Sequence, residues 1–263
     1  MDSNWEGVGK QEFPVSENTK NRGFLEASRQ LAESARNPCL GTKKYMKKLF
    51  LSSAGVVPET QKDFLNLIGR DPQGLLVAFI PTAAYPELDK SYVKSAVDQI
   101  ESLGMIVRQV DLVGENQDSL YQKLKDVDII WVNGGNTFFL LDQIRKSGFD
   151  QIIDGLLDDG KIYVGLSAGS YVACPTNEAA KWKHIDDTEV VKLNNLSALS
   201  LVDFLIIAHY EDKYEDAVRT GAKTTKYPVV ALTDKQAVVV RGKLCTIVGT
   251  GSKFTLNNFK ETV

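Results

Sequence analysis

Gly165-Leu166-Ser167-Ala168-Gly169 sets a serine between two glycines, directly after the apolar run 162–165 and directly before a helix-forming segment. In that context the Gly-x-Ser-x-Gly pattern is a nucleophile elbow, a sharp strand-to-helix turn that lifts the serine hydroxyl above a sheet edge. The turn strains the serine backbone, so the residues two positions away on either side must be small. At the helix amino end, backbone N–H groups such as that of Ala168 are free to stabilise an oxyanion. The chemistry this predicts is acyl transfer through Ser167. The bland alternative is a small-residue turn of the kind many α/β proteins have. A phosphate loop is the weaker reading, because the Gly-Lys pair of a Walker pattern is missing.

A second glycine turn, Asn133-Gly134-Gly135-Asn136-Thr137, stands one strand earlier and so falls on the same carboxyl edge of the sheet, where open α/β folds bind ligands. Its paired glycines let the backbone approach a ligand, Gly135 or Gly134 can supply a second oxyanion N–H, and Asn136 or Thr137 can cap the following helix. A serine nucleophile needs a base, and histidine is the usual one. Of the 2 histidines, His184 lies in the polar run Lys181-Trp182-Lys183-His184, which reads as a solvated loop, whereas His209 ends the apolar run 204–208 and is delivered at a strand's carboxyl end. His209 is the base candidate. Its structural alternative is a satisfied, half-buried strand-end histidine.

Three motifs together resemble the dipeptidase E and cyanophycinase group of serine peptidases, which are related in fold to class I glutamine amidotransferases. They are Gly134-Gly135-Asn136-Thr137-Phe138 with Leu140-Leu141, then Gly165-x-Ser167-Ala168-Gly169-Ser170 leading to Ala173-Cys174-Pro175-Thr176, and Ala198-Leu199 leading to His209-Tyr210. The Gly-Gly-Asn-Thr form is closer to the dipeptidase E branch, and the likeness runs from Met46 towards the carboxyl end. It implies a Ser-His-Asp triad and an acyl-enzyme. Alignment backward from His209 puts the acid on Asp187, with Asp186, Glu178 and Glu189 as alternatives beside an apparent insertion. The resemblance also implies oxyanion donors at Gly135 and Ala168 and substrate contacts at Asn136 and Thr137. It further implies dipeptides with amino-terminal aspartate, a specificity that needs a cation; Arg219 is the candidate, against a solvated arginine paired with Glu215 one turn earlier.

Around these residues the chain from Met46 onward alternates short apolar runs with helix-length segments, which predicts an α/β fold: a mostly parallel, doubly wound sheet with helices on both faces. Strands are expected at 49–52, 75–80, 106–110, 129–133, 162–165 and 204–208, and helices at 62–68, 92–103, 120–125, 137–146 and 214–221. The runs 229–232, 237–240 and 244–248 read as a terminal antiparallel set with a tight turn at Arg241-Gly242. Residues 1–45 are polar and turn-prone, with one amphipathic stretch at 24–35. They read as a leader, tag or extension outside a single hydrolytic domain at 46–263.

The 263 residues are 43% hydrophobic and 25% charged, the balance of an ordinary globular protein, and the net charge of -3 gives no electrostatic reason for a nucleic-acid partner. No apolar stretch approaches the roughly 20 residues of a membrane span. Three cysteines at unrelated spacings and two histidines make no zinc signature, and they fit a reducing, cytoplasmic setting. No metal or organic cofactor is implied. The expected partner is a small peptide substrate. An esterase or amidohydrolase on the same scaffold, and a catalytically inactive binding or regulatory module, are the alternatives the motifs leave open.

Overall fold

Residues along an extended strand point alternately to the two faces of its sheet, and the apolar side chains of this chain divide accordingly. Leu49, Leu51, Ala78, Ile80, Ile130, Val132 and Tyr163 pack on one face, and Phe50, Val77, Phe79, Ile129, Trp131, Val164 and Leu166 on the other. Both faces are therefore covered, as a parallel sheet requires. The computed structural model describes residues 45–183 and 189–262. Contacts divide the chain into Met1–Lys43 and Lys44–Val263, and the described residues belong to the second unit.

The strands are β1 (Lys48–Ser52), β2 (Leu76–Ile80), β3 (Ile106–Gln109), β4 (Ile129–Val132), β5 (Ile162–Leu166), β6 (Leu205–Ile207), β7 (Val229–Ala231), β8 (Gln236–Arg241), β9 (Leu244–Gly249) and β10 (Phe254–Leu256). The helices are α1 (Pro58–Ile68), α2 (Ser91–Ser102), α3 (Gln117–Leu124), α4 (Thr137–Ser147), α5 (Phe149–Asp158), α6 (Ala168–Ala173) and α7 (Glu215–Ala222). Seven strands form one sheet in the order β3-β2-β4-β5-β1-β8-β9, parallel from β3 to β1 and antiparallel at β8 and β9. The expected α/β class and the terminal antiparallel strands are both present. Helices α1 and α2 cover one face, and α3 to α6 the other.

Strands β7 and β10 and helix α5 depart from the sequence expectation, β10 falling in no expected run. Strand β7 does not join β8 and β9; it pairs in parallel with β6, and in antiparallel with β10, in a separate three-stranded sheet. Short apolar runs carry no record of their partner, so sequence proximity to β8 suggested the wrong neighbour. Helix α5 falls outside the expected helices, although Phe149, Ile152, Ile153, Leu156 and Leu157 are all buried at helical spacing. It follows α4 after the single residue Gly148, whose left-handed φ of 71° ends one helix and starts the next.

Two pairs of parallel neighbours matter for function. Strands β4 and β5 lie side by side at the centre of the large sheet, and β6 and β7 side by side in the small one. Each pair brings two strand-end loops together.

Candidate active site

Ser167 follows the last residue of β5 with φ 46° and ψ -106°, outside the backbone regions that L-residues prefer, and it forms the amino boundary of α6. Holding such a conformation costs on the order of 1–3 kcal/mol. The surrounding contacts hold it there. The Ser167 N–H donates to Ser52 O at 2.9 Å, and its carbonyl accepts from the N–H groups of Ser170 and Tyr171 at 2.8 and 3.0 Å. Close packing explains the flanking glycines. A Cβ on Gly169 would stand 2.1 Å from Val132 O, and one on Gly165 would stand 2.6 Å from Gly169 O.

The Gly134-Gly135 turn after β4 comes up against this elbow: a Cβ on Gly134 would be 3.2 Å from the Cβ of Ser167. Gly135 has φ 133°, and a side chain there would strike Ala83 O at 2.3 Å. Among the described residues, no acceptor takes the N–H of Gly134, Gly135 or Ala168. All three are donors free for a ligand beside the serine. Asn136 caps α4, accepting from Phe138 N and Phe139 N at 3.1 and 2.9 Å, and both Asn136 and Thr137 are buried. Neither lines the cavity described below.

His209 sits just past β6 with φ 52°, a second non-glycine residue in the left-handed region. Its backbone N–H donates to Ser53 Oγ at 2.9 Å, and Ser53 Oγ donates in turn to Leu232 O at 3.0 Å. The Ser53 hydroxyl thus ties the loops after β1, β6 and β7 together. The Lys183 ammonium, largely buried, donates to the carbonyls of Ala208 and His209. The imidazole Nδ1 lies 2.6 Å from Oδ1 of Asp234, which follows β7. That hydrogen bond, more than the nearby positive charges of His209 and Lys183, holds the Asp234 carboxyl below the usual carboxylate range, while burial pushes the other way.

Asp187, expected as the acid, lies outside the described residues together with Asp186 and His184. Glu178 begins a 3-10 turn at Glu178–Lys181, and neither it nor Glu189 lines the cavity. The carboxylate on His209 is one that the sequence reading passed over. Asp234 stands two residues past the apolar run 229–232, and only the parallel pairing of β6 with β7 brings it beside His209.

Ser167 and His209 line one cavity of about 540 Å³, with Ser53, Gly134, Gly135, Asn133 and Lys183 among its other walls. The Ser167 hydroxyl makes no hydrogen bond to another described residue; such contacts often close only around substrate. Arg219 is elsewhere. It pairs with Glu215 at 2.7 Å, its guanidinium stacks over Phe254 at 4.9 Å, and it does not line the cavity. Cys174 and Cys245 are free thiols whose pKa values burial pushes up to about 12, so neither is poised as a nucleophile. Among the described residues no cluster of His, Cys, Asp or Glu could hold a metal ion, and no helix is long and apolar enough to cross a membrane.

Residues 49–248 match the sequence profile of Peptidase family S51. The chain is 36% identical over 207 residues to the uncharacterized peptidase Lmo0363 of Listeria monocytogenes serovar 1/2a, covering 75% of this chain and 96% of that one. To Peptidase E of Escherichia coli O6:K15:H31 the identity is 31% over 147 residues, 56% of this chain and 60% of that one. Among solved structures, a Listeria monocytogenes EGD-e protein provisionally named peptidase E superposes with a TM-score of 0.69 at 31% identity, covering 78% of this chain and 100% of the other. A peptidase from an acI-B1 Actinobacterium shares the fold, with a TM-score of 0.62 at 16% identity over 85% of this chain and 99% of that one.

Proposed function

This chain belongs to peptidase family S51 and is a hydrolase, and on that premise we propose that it cleaves short peptides through Ser167, His209 and Asp234. One observation carries the reading: the imidazole that Asp234 holds at 2.6 Å lines the same cavity as the strained Ser167. In this mechanism His209 Nε2 takes the Ser167 proton as Oγ attacks the scissile carbonyl, and the oxyanion that forms is met by N–H groups of Ala168 and Gly135. His209 then gives the proton to the departing amine, leaving an acyl-Ser167 ester. Water repeats the sequence on that ester and frees the enzyme. Asp234 keeps the proton on Nδ1, so that Nε2 is the basic nitrogen. Because Asp234 lies at hydrogen-bond distance from Nδ1, this reading gives it the role that the family resemblance gives to Asp187.

A cavity of this size suits a ligand of a few residues rather than a folded protein. An aspartate substrate would need a cation in it. Arg219 pairs with Glu215 away from the cavity, and among the described residues the cation on the cavity wall is Lys183, which donates to two backbone carbonyls. The substrate is therefore read as a short peptide without a requirement for amino-terminal aspartate.

Hydrolysis of a panel of dipeptides and short-chain esters tests this. Wild type should cleave peptides, Ser167→Ala and His209→Ala should each lose on the order of a thousandfold or more, and His184→Ala should keep most of the rate. Ester cleavage with no peptide cleavage would replace the peptidase with an esterase. Activity that survives Ser167→Ala would reject the site.

A further inference from the structure

Lys183 is 9% exposed, so its ammonium is largely withdrawn from water. Burying that charge is costly unless acceptors meet it, and it donates to the carbonyl of Ala208 and, at 3.3 Å, to that of His209. The face of the Tyr214 ring adds a cation–π contact at 5.2 Å. The neighbouring residue anchors this stretch of chain. Trp182 packs so closely on Gly221 of α7 that a Cβ on that glycine would stand 2.2 Å from the indole.

One cation on two successive carbonyls is not strand geometry. Along an extended, pleated strand successive carbonyls point to opposite sides, so the two can converge only where the strand has ended. Strand β6 ends at Ile207, and the turn comes at His209, whose φ of 52° lies in the left-handed region that L-residues disfavour. The backbone groups around that residue are each held. Ala208 N–H donates to the Tyr171 hydroxyl at 3.2 Å, His209 N–H to Ser53 Oγ at 2.9 Å and Tyr210 N–H to Leu232 O at 2.8 Å. The two carbonyls between these donors are the ones that Lys183 holds. Its positive charge also favours the ionised form of Asp234, behind the larger effect of the His209 hydrogen bond. A single cation thus acts on both members of the carboxylate–imidazole pair.

We propose that Lys183 is a positioning residue for His209, its ammonium clamping the Ala208 and His209 carbonyls so that the turned backbone delivers the imidazole to Ser167. The inference rests on the peptidase reading above. The direction of the imidazole follows from the φ and ψ of its own residue, and the two carbonyls belong to the peptide units on either side of those angles. Fixing both therefore fixes the aim of the ring. A methionine in place of Lys183 would fill the space but offer no donor, leaving the left-handed turn to the remaining bonds. Because the clamp acts on backbone and not on substrate, its effect belongs to turnover rather than to binding.

Lys183→Met keeps the bulk of the side chain and removes the charge. On a dipeptide that the wild type cleaves, its kcat should fall by roughly ten- to a hundredfold, the scale of a slightly misplaced catalytic group, while KM stays within about twofold. The rate of fluorophosphonate labelling at Ser167 should fall by the same factor. Lys183→Arg, which returns a cation with several donors, should recover the larger part of both rates. Lys183→Gln keeps one polar donor and serves if the methionine variant does not fold; its kcat should fall severalfold. A folded methionine or glutamine variant that turns over at the wild-type rate would overturn the proposal even if it melts lower, since Lys183 would then support the fold alone. So would a loss confined to KM, which would put Lys183 on the substrate, or an arginine variant as slow as the methionine one. Labelling of the wild type separates the two readings: a labelled wild type beside variants of unchanged rate loses only the role of Lys183, and an unlabelled wild type loses the hydrolase as well.

Discussion

The side chains of His209 and Asp234 are 44% and 62% exposed, so the acid–imidazole pair stands at the mouth of the site rather than beneath it. An exposed carboxylate still fixes which ring nitrogen carries the proton, and its removal frees the wrong tautomer. Asp234→Asn should therefore lower kcat on the order of 10²- to 10⁴-fold, the upper figure belonging to a buried acid, while substrate binding changes little. The same substitution carries a stability signature. The Asp234 carboxyl is held below its ordinary value by the His209 hydrogen bond. A depressed folded-state pKa contributes stability that is fully present above the unfolded carboxylate range near about 4 and is lost as pH falls through the lowered value. Thermal melts should show the gap between wild type and Asp234→Asn above that range and see it close in stronger acid. A gap that widens in acid would contradict the assignment. Ser167 and His209 were legible as candidates because a strained turn demands small neighbours and because only two histidines were available. The carboxylate that meets His209 in the structure was not. Nothing in Leu232-Thr233-Asp234 marks that aspartate apart from a turn residue until β6 and β7 are known to be parallel neighbours.

At the scale of elements, the candidate site is assembled by two parallel pairs, β4 with β5 for the glycine turn and Ser167, and β6 with β7 for His209 and Asp234. Ser53, in the loop after β1, joins the second pair to the large sheet through its bonds to His209 and Leu232. Ser53→Ala leaves the part-buried His209 N–H without its acceptor, while Leu232 O keeps the bond from Tyr210 N, which should cost roughly 1–3 kcal/mol of stability and lower kcat by loosening the backbone of His209. Equilibrium denaturation with parallel kinetics checks this; unchanged stability and rate would show that the sheets are held together elsewhere. The large sheet was readable because its strands are long apolar runs separated by helices of matching period. The small sheet was harder to read, since β6, β7 and β10 have 3 residues each and take their partners from tertiary packing. Helix α5 escaped for another reason: without a break longer than Gly148, its apolar face merges with that of α4.

For the molecule as a whole, every strand among the described residues, together with Ser167, His209 and Asp234, lies between Lys48 and Leu256, in the second of the two units. A chain beginning at Met46 should therefore fold and turn over substrate as the full chain does. Among the described residues it loses the backbone hydrogen bond from Tyr45 N to Asp158 O at 3.0 Å and the packing of the Tyr45 ring on Gly160. A melting temperature lower by no more than about 2–4 °C is expected, and insolubility or a far larger drop would show that the preceding segment is part of the fold. The account as a whole depends on Ser167 being an activated nucleophile, and covalent labelling reads that directly. A fluorophosphonate should add one label per chain, mapped by peptide mass to Ser167, and the labelling rate should collapse in His209→Ala. Label on another residue, or an unreactive Ser167 in the folded wild-type protein, would contradict it.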